Sequence, residues 1–383
     1  MKKILVIHNK YQNIGGEDVA VENEVEVLNK YFEVETLYFK NDNLITPHQI
    51  KSFVTNKNSK SIDIVKNKIK SFDPDIVYVH NTWFKASLGI FDLLSDMNIK
   101  TLIKVHNFRY HCTGTFSGLK HLDGNEFCNA CGYKPKFFNF FNKYFSESFF
   151  KSVLVLIYGK KYLKIIKSKK INLLVLTEFH KNYIRKIGGF NSSIYVHPNP
   201  INLLLKRIND EKENTILYAG RVSHEKGVDK LIESFINARL EEITLKIAGE
   251  GPLLNELKKK YENNPEVIFL GVLKNIEVIE LINKSIAIVS ATRLYEGQPT
   301  LLCEASIMGV PSIFPKSGGI SEFFPKNYLL SYNQFDYKDL EEKLRFISKK
   351  SKLEVIGLEN KDYIFNYLNE KKLIDSFNII IDG

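Results

Sequence analysis

The chain has 383 residues, a hydrophobic fraction of 44% and a formal net charge of +10. That length accommodates two domains of ordinary size, and the composition is that of a globular protein rather than a disordered or fibrous one. The longest apolar run, Val153–Tyr158, is six residues, far short of the ~20 a spanning helix needs.

The opening Met1-Lys-Lys-Ile-Leu-Val-Ile-His8 offers four apolar residues after its lysines, too few for a secretory signal core. It reads as a buried strand over 4–7, and a cytoplasmic location is expected. Gly15-Gly16 marks a turn, and Val19, Val21, Val25 and Leu28 follow at helical spacing. Further strands are predicted at 34–38, 76–80 and 101–105, with helices around 60–71 and 87–97. The segment from Lys151 to Ile171 carries seven lysines and no acid. Lys160, Lys164 and Lys167 fall on one helical face, Tyr162, Ile165 and Ile166 on another, a pattern suited to lying on anionic lipid. His197-Pro-Asn-Pro200 reads as a short stiff link. Beyond it, strands are predicted at 216–219, 244–248, 267–270, 286–290 and 310–314, alternating with helices at 230–237, 253–261, 276–283 and 299–308. Apolar strands alternating with helices imply parallel sheets covered on both faces. The expected domains are 1–197, 198–360, and a C-terminal helical segment, 361–383, packing back on the first.

Charge is unevenly divided. Residues 1–205 hold 29 Lys+Arg against 17 Asp+Glu, or +12, and residues 206–383 hold 25 against 27, or −2. A basic half suits a polyanionic neighbour. No zinc-finger, RRM or KH signature is present, so an anionic membrane surface is the expected partner and nucleic acid is not.

Leu294-Tyr-Glu-Gly-Gln-Pro-Thr-Leu-Leu-Cys-Glu304 is the most informative stretch. Gly297 and Pro299 mark a loop and a first helical position. Glu296 therefore stands at the mouth of strand 286–290 and Glu304 one turn down a helix, whose free N–H groups suit a phosphate. Gly220-Arg-Val-Ser-His-Glu-Lys226-Gly227 also follows a strand and precedes a helix. Its Arg221 and Lys226 can clamp a diphosphate and stabilise it as it leaves. Lys246-Ile-Ala-Gly-Glu-Gly-Pro-Leu253 places glycines where backbone can approach a ligand. His106 and His80 each end a strand. Cys128-x-x-Cys131 has metal-ligand spacing, and Cys112 with His111 or His121 could complete a structural zinc set. With only one C-x-x-C present, reduced, buried thiols are the favoured reading there, and Cys303 is expected in the core.

These motifs resemble the E-x7-E, G-R-x-x-x-x-K-G and Gly-Glu-Gly elements of retaining glycosyltransferases of family GT4, bacterial polysaccharide-synthesis type. The resemblance is densest over 173–325 and extends to Gly15-Gly16, Val79-His80-Asn81 and His106-Asn107. It implies a GT-B fold, two Rossmann-like parallel-sheet domains facing each other across a cleft, with the first on the acceptor side and the second binding the donor. It further implies that His106 and Glu296 position the sugar. Gly15, Gly16, Arg221, Lys226, Gly297, Gln298, Pro299, Thr300 and Glu304 would bind the donor, with Glu304 on the ribose. The implied substrate is a UDP- or GDP-sugar, the acceptor a glycan or lipid-linked precursor at the inner face of the plasma membrane. No cofactor and no catalytic metal are required. The two rivals are a nucleotide-sugar 2-epimerase of the same fold and a non-catalytic nucleotide-sugar binding subunit.

Overall fold

The computed structural model describes residues 1–10, 16–41, 47–108, 149–187, 189, 193–201 and 211–383. The described chain forms two compact units, one running to Pro200 and including Glu370–Gly383, the other covering Ile201–Asn369.

The first unit is built on six parallel strands: β1 Lys3–Lys10, β2 Glu33–Lys40, β3 Ile76–Asn81, β4 Lys100–Val105, β5 Asn172–Val175 and β6 Ile194–Val196. Their order is β2-β1-β3-β4-β5-β6. Alternate residues of each strand point to opposite faces, and both faces are apolar. Leu5, Ile7, Val77, Val79, Ile103 and Val105 pack under helices Ser59–Phe72, Ile90–Asp96 and Phe149–Ser168. Ile4, Val6, Ile76, Tyr78 and Leu102 pack under helix Gly16–Leu28 and the last helix, Glu370–Asp382, through Val21, Leu28, Ile374, Phe377 and Ile381.

The lysine-rich helix Phe149–Ser168 corrects one expectation. Tyr158, Tyr162, Leu163 and Ile166 are buried in the core of the first unit, so these residues of its apolar side are covered by protein and are not offered to lipid. Lys161 donates to the carbonyls of Phe53 and Val54 at 2.7 and 2.9 Å, closing the end of helix Pro47–Thr55, and Lys169 pairs with Asp92 at 2.9 Å.

The second unit repeats the plan with β7 Thr215–Ala219, β8 Thr244–Ala248, β9 Val267–Gly271, β10 Ala287–Val289, β11 Ser312–Lys316 and β12 Ser331–Asn333, in the order β12-β11-β10-β7-β8-β9. One face takes helices Val228–Ala238, Leu254–Lys260 and Tyr337–Phe346, the other Asn275–Lys284 and Thr300–Ile307. Cys303 lies in that second core, 1% exposed, as expected. Sequence periodicity did not locate β5, β6 or β12, which are three or four residues long and too short to show a period.

Candidate functional site

In an open parallel sheet, ligands bind beyond the carboxyl ends of the strands where the strand order reverses. In the second sheet that point falls between β7 and β10, adjacent in space but separated by two strands in sequence. The loops leaving these two strands are Gly220–Gly227 and Ser290–Pro299, the two carrying the predicted charges.

The loops are held together by backbone. Gly227 adopts φ +67°, and a Cβ there would stand 2.1 Å from the Ala291 carbonyl oxygen. Arg293 N donates to Glu225 O at 2.9 Å. On the other side, Gly249 and Gly251 lie flat against the Gly220 and Val222 carbonyls, where a Cβ would meet oxygen at 1.9 and 2.3 Å. Those glycines, expected to admit a ligand, are therefore needed for loop-on-loop contact. Tyr218 completes the turn by donating its hydroxyl to Arg221 O at 2.8 Å.

Lys226 Nζ reaches across from one loop to the other and meets Glu296 Oε1 at 2.5 Å. The same oxygen accepts the Thr292 hydroxyl at 2.9 Å. The Glu296 backbone is clamped as well, since Gly319 N donates to its carbonyl at 2.8 Å and Gly318, at φ +59°, leaves no space for a side chain beside it. Lys226 and Glu296 are half-buried, whereas the Arg221 side chain is 58% exposed with only a 3.9 Å contact to Glu225. Gly297 is buried, and Gln298, Pro299 and Thr300 are half-buried. The helix begins at Thr300 with Pro299 as its cap residue, one position later than expected. Glu304, half-buried on that helix, has its carboxyl raised to about 7 by burial.

Sequence reading missed Arg293. It is 5% exposed and its guanidinium donates to the His224 carbonyl at 2.7 Å, His224 Nδ1 at 2.8 Å, Asp229 Oδ2 at 3.0 Å and the Tyr337 hydroxyl at 3.2 Å. It thus rivets both loops to helices Val228–Ala238 and Tyr337–Phe346. Its position three residues before Glu296 was visible, but its partners are remote in sequence. Arg293→Ala is expected to cost roughly 3 kcal/mol by leaving Asp229 without its partner, and Arg293→Lys to recover little, since one ammonium cannot span a planar fork of acceptors. Thermal unfolding of the two variants measures this; a lysine variant as stable as the parent would show that charge alone suffices.

In the first sheet the order reverses between β1 and β3. His8 and Asn9 end β1, His80 and Asn81 end β3, and His106 follows β4. Gly16 opens the helix after β1 and is exposed, while Gly15 lies outside the described residues. His80 Nδ1 and His106 Nε2 are 2.9 Å apart. Beneath them Lys104 Nζ meets both Glu24 oxygens at 2.8 Å, Tyr78 donates to Glu24 at 2.9 Å, and His197 Nε2 stands 3.4 Å from it. Burial alone would raise the Glu24 carboxyl, but Lys104 and then His197 hold it well below the ordinary carboxylate range.

Cys112, Cys128 and Cys131 lie outside the described residues. Among the described residues no group of His, Cys, Asp or Glu is placed to hold a metal ion, and no helix is long and apolar enough to cross a membrane.

Two parallel-sheet units, each with its polar loops gathered at the reversal of strand order, define a GT-B glycosyltransferase architecture. Residues 205–361, which lie within the second unit, match the family "Glycosyl transferases group 1", in accord with the GT4 resemblance. Among relatives, the chain is 28% identical over 156 residues to the amylovoran biosynthesis glycosyltransferase AmsD of Erwinia amylovora, covering 37% of this chain and 42% of that protein. The match thus spans less than half the length of that relative. Solved structures match almost end to end. Sucrose-phosphate synthase of Thermosynechococcus elongatus gives a TM-score of 0.72 at 15% identity, covering 99% and 98% of the two chains. Anabaena Alr3699/HepE, solved with UDP and glucose, gives 0.71 at 12% identity, covering all of both. At such identities the likeness is one of fold.

Proposed function

We propose that the chain is a retaining glycosyltransferase that moves a hexosyl or N-acetylhexosaminyl group from a UDP- or GDP-sugar to a glycan or lipid-linked acceptor in cell-surface polysaccharide synthesis. The observation that carries this reading is the Lys226–Glu296 pair, which joins the two motif loops at the reversal point of the second sheet. The name of AmsD and the UDP and glucose bound by HepE support the substrate class.

In this reading the second unit binds the donor. Arg221, exposed and only loosely paired with Glu225 at 3.9 Å, and Lys226 take the diphosphate. The helix start at Gln298–Thr300 faces its charge, Glu304 accepts the ribose hydroxyls, and Glu296 and His106 position the sugar. The bond from the anomeric carbon to the diphosphate oxygen breaks while an acceptor hydroxyl bonds to that carbon on the same face. The hydroxyl proton passes to the departing phosphate, and Arg221 and Lys226 stabilise the charge that develops there. The two glutamates are not the acid and nucleophile of a hydrolase. A panel of nucleotide-sugars with free nucleotide diphosphate as readout tests the reading, and no release from any donor in the presence of glycan and lipid-linked acceptors would reject it.

The raised carboxyl of Glu304 gives a sharper expectation. Ribose hydroxyls donate to the ionised form, so the proton has to leave before the donor is held. Affinity for an unreactive UDP- or GDP-sugar analogue should therefore rise with pH, by at most about tenfold per unit, and level off above about 7. The raised value also means that Glu304 favours the fold most when protonated and does so less as pH climbs to about 7. Glu304→Gln should abolish the pH dependence and cost roughly 1.5–3 kcal/mol of binding. Calorimetry across this range decides, and a variant binding as tightly as the parent would remove Glu304 from the ribose.

The lysine face of helix Phe149–Ser168 and the residues after it remain the element proposed to meet an anionic membrane, now by charge alone. Changing Lys160, Lys164, Lys167 and Lys170 to glutamine spares the contacts of Lys161 and Lys169 and should weaken salt-sensitive sedimentation with anionic vesicles, each lysine contributing about 1 kcal/mol at most. Equal sedimentation of parent and variant would assign the charge asymmetry elsewhere.

A further inference from the structure

The proton between His80 and His106 has only two places to be. The two nitrogens, 2.9 Å apart, share one hydrogen bond, so one ring donates and the other accepts. The other nitrogen of His80 decides which. His80 Nε2 is buried and has no hydrogen-bond partner, and its ring is 6% exposed. Tyr78 lies against it at 4.4 Å between ring centroids, with its hydroxyl already committed to Glu24. His8 approaches edge-on at 6.3 Å, with its Nε2 committed to Asp18 at 2.8 Å.

Were His106 the donor, the His80 proton would sit on Nε2 as a buried N–H with no acceptor, which folded proteins rarely tolerate. With the proton on His80 Nδ1, Nε2 is a bare nitrogen, and the cost is smaller. His80 then donates to His106 Nε2. Burial keeps both rings neutral, with His80 lowered to about 3 and His106 well below its usual range. A neutral His106 whose Nε2 accepts carries its proton on Nδ1. That nitrogen belongs to a half-buried ring at the carboxyl end of β4.

We propose that His80 is a positioning residue that fixes His106 as the Nδ1–H tautomer, so that His106 meets a sugar or acceptor oxygen as a hydrogen-bond donor and not as a base. This rests on the glycosyltransferase reading for the identity of the oxygen, but not for the tautomer. It excludes a step in which Nδ1 of His106 takes the acceptor proton, and so leaves that proton to the phosphate.

The tautomer is read directly from imidazole nitrogen resonances of the full-length protein labelled on histidine, with no substrate present. His106 is expected to show Nδ1 protonated and Nε2 bare near neutral pH, and His80 the same. His80→Phe removes the donor and should release His106 into a mixture of tautomers. Transfer should then lose about tenfold in kcat/KM, the scale of one misdirected hydrogen bond. His80→Asn, which can place an N–H near the Nδ1 position, should recover most of that loss, which a purely structural role would not require. At His106 itself, asparagine mimics Nδ1 and glutamine mimics Nε2, so His106→Asn should retain more activity than His106→Gln. A proton found on His106 Nε2, or a glutamine variant better than the asparagine one, overturns the proposal. A protein with the expected tautomer that releases nucleotide diphosphate from no donor overturns the functional reading and the donor role together, while the His80–His106 assignment stands.

Discussion

Glu24→Ala is expected to destabilise the protein by about 3–5 kcal/mol, the scale of leaving a buried charge without its partner. Lys104 is fully buried and Glu24 is 2% exposed. With the carboxylate gone, the ammonium keeps only the Pro198 carbonyl at 3.4 Å, and the Tyr78 hydroxyl loses its acceptor. Urea unfolding, followed by the shift in midpoint, measures the cost. Glu24→Leu combined with Lys104→Met should recover much of it, because a well-packed apolar pair avoids the desolvation of two charges. If the double variant were no better than Glu24→Ala, the pair would contribute through packing rather than charge. The linkage has a definite sign. Glu24 is held well below its ordinary range, so its contribution is present above the unfolded carboxyl's titration and is lost as pH falls through the folded one.

Lys226→Ala should lower kcat by roughly 10²–10³-fold at saturating donor, the loss seen when one preorganised donor to a developing oxyanion is removed. Its effect on stability should be small. The pair with Glu296 is part-exposed on both sides, which limits it to about 0–1 kcal/mol, and Thr292 still holds the glutamate. The contrast between a large kinetic loss and an almost unchanged Tm is the diagnostic result. A variant turning over at the parental rate would show that Lys226 serves the loop and not the leaving group.

Much of this was legible beforehand for identifiable reasons. The alternation of apolar strands and helices announced two parallel sheets, because central strands such as β1, β3, β4 and β10 are buried on both faces and read as apolar runs. Glu296 and Glu304 could be placed because Gly297 and Pro299 punctuate the chain between them. The same local signals could not give partners. Nothing near Lys226 in sequence indicates Glu296 seventy residues on, and nothing near Glu24 indicates Lys104. Arg293 carries no local signal, since its acceptors on His224, Asp229 and Tyr337 are all remote from it in the chain. The lysine-rich helix misled in the opposite direction. Its apolar side has the pattern of a membrane-facing helix and also that of one covering a sheet, and periodicity does not say which surface lies opposite.

The last helix has a consequence for how the molecule is made. Glu370–Asp382 belongs to the first unit, where Phe377 lies 5.6 Å from Tyr78, 5.8 Å from Phe32 and 5.4 Å from His197 between ring centroids. During synthesis the strands of that unit leave the ribosome first, yet the side of their sheet shared by helix Gly16–Leu28 and the last helix stays only partly covered until the whole intervening unit has been translated. The first sheet is thus closed last. A gene cut after Pro200 would not encode the first unit, whereas one splicing Glu370–Gly383 onto that point by a linker would carry every described segment of it.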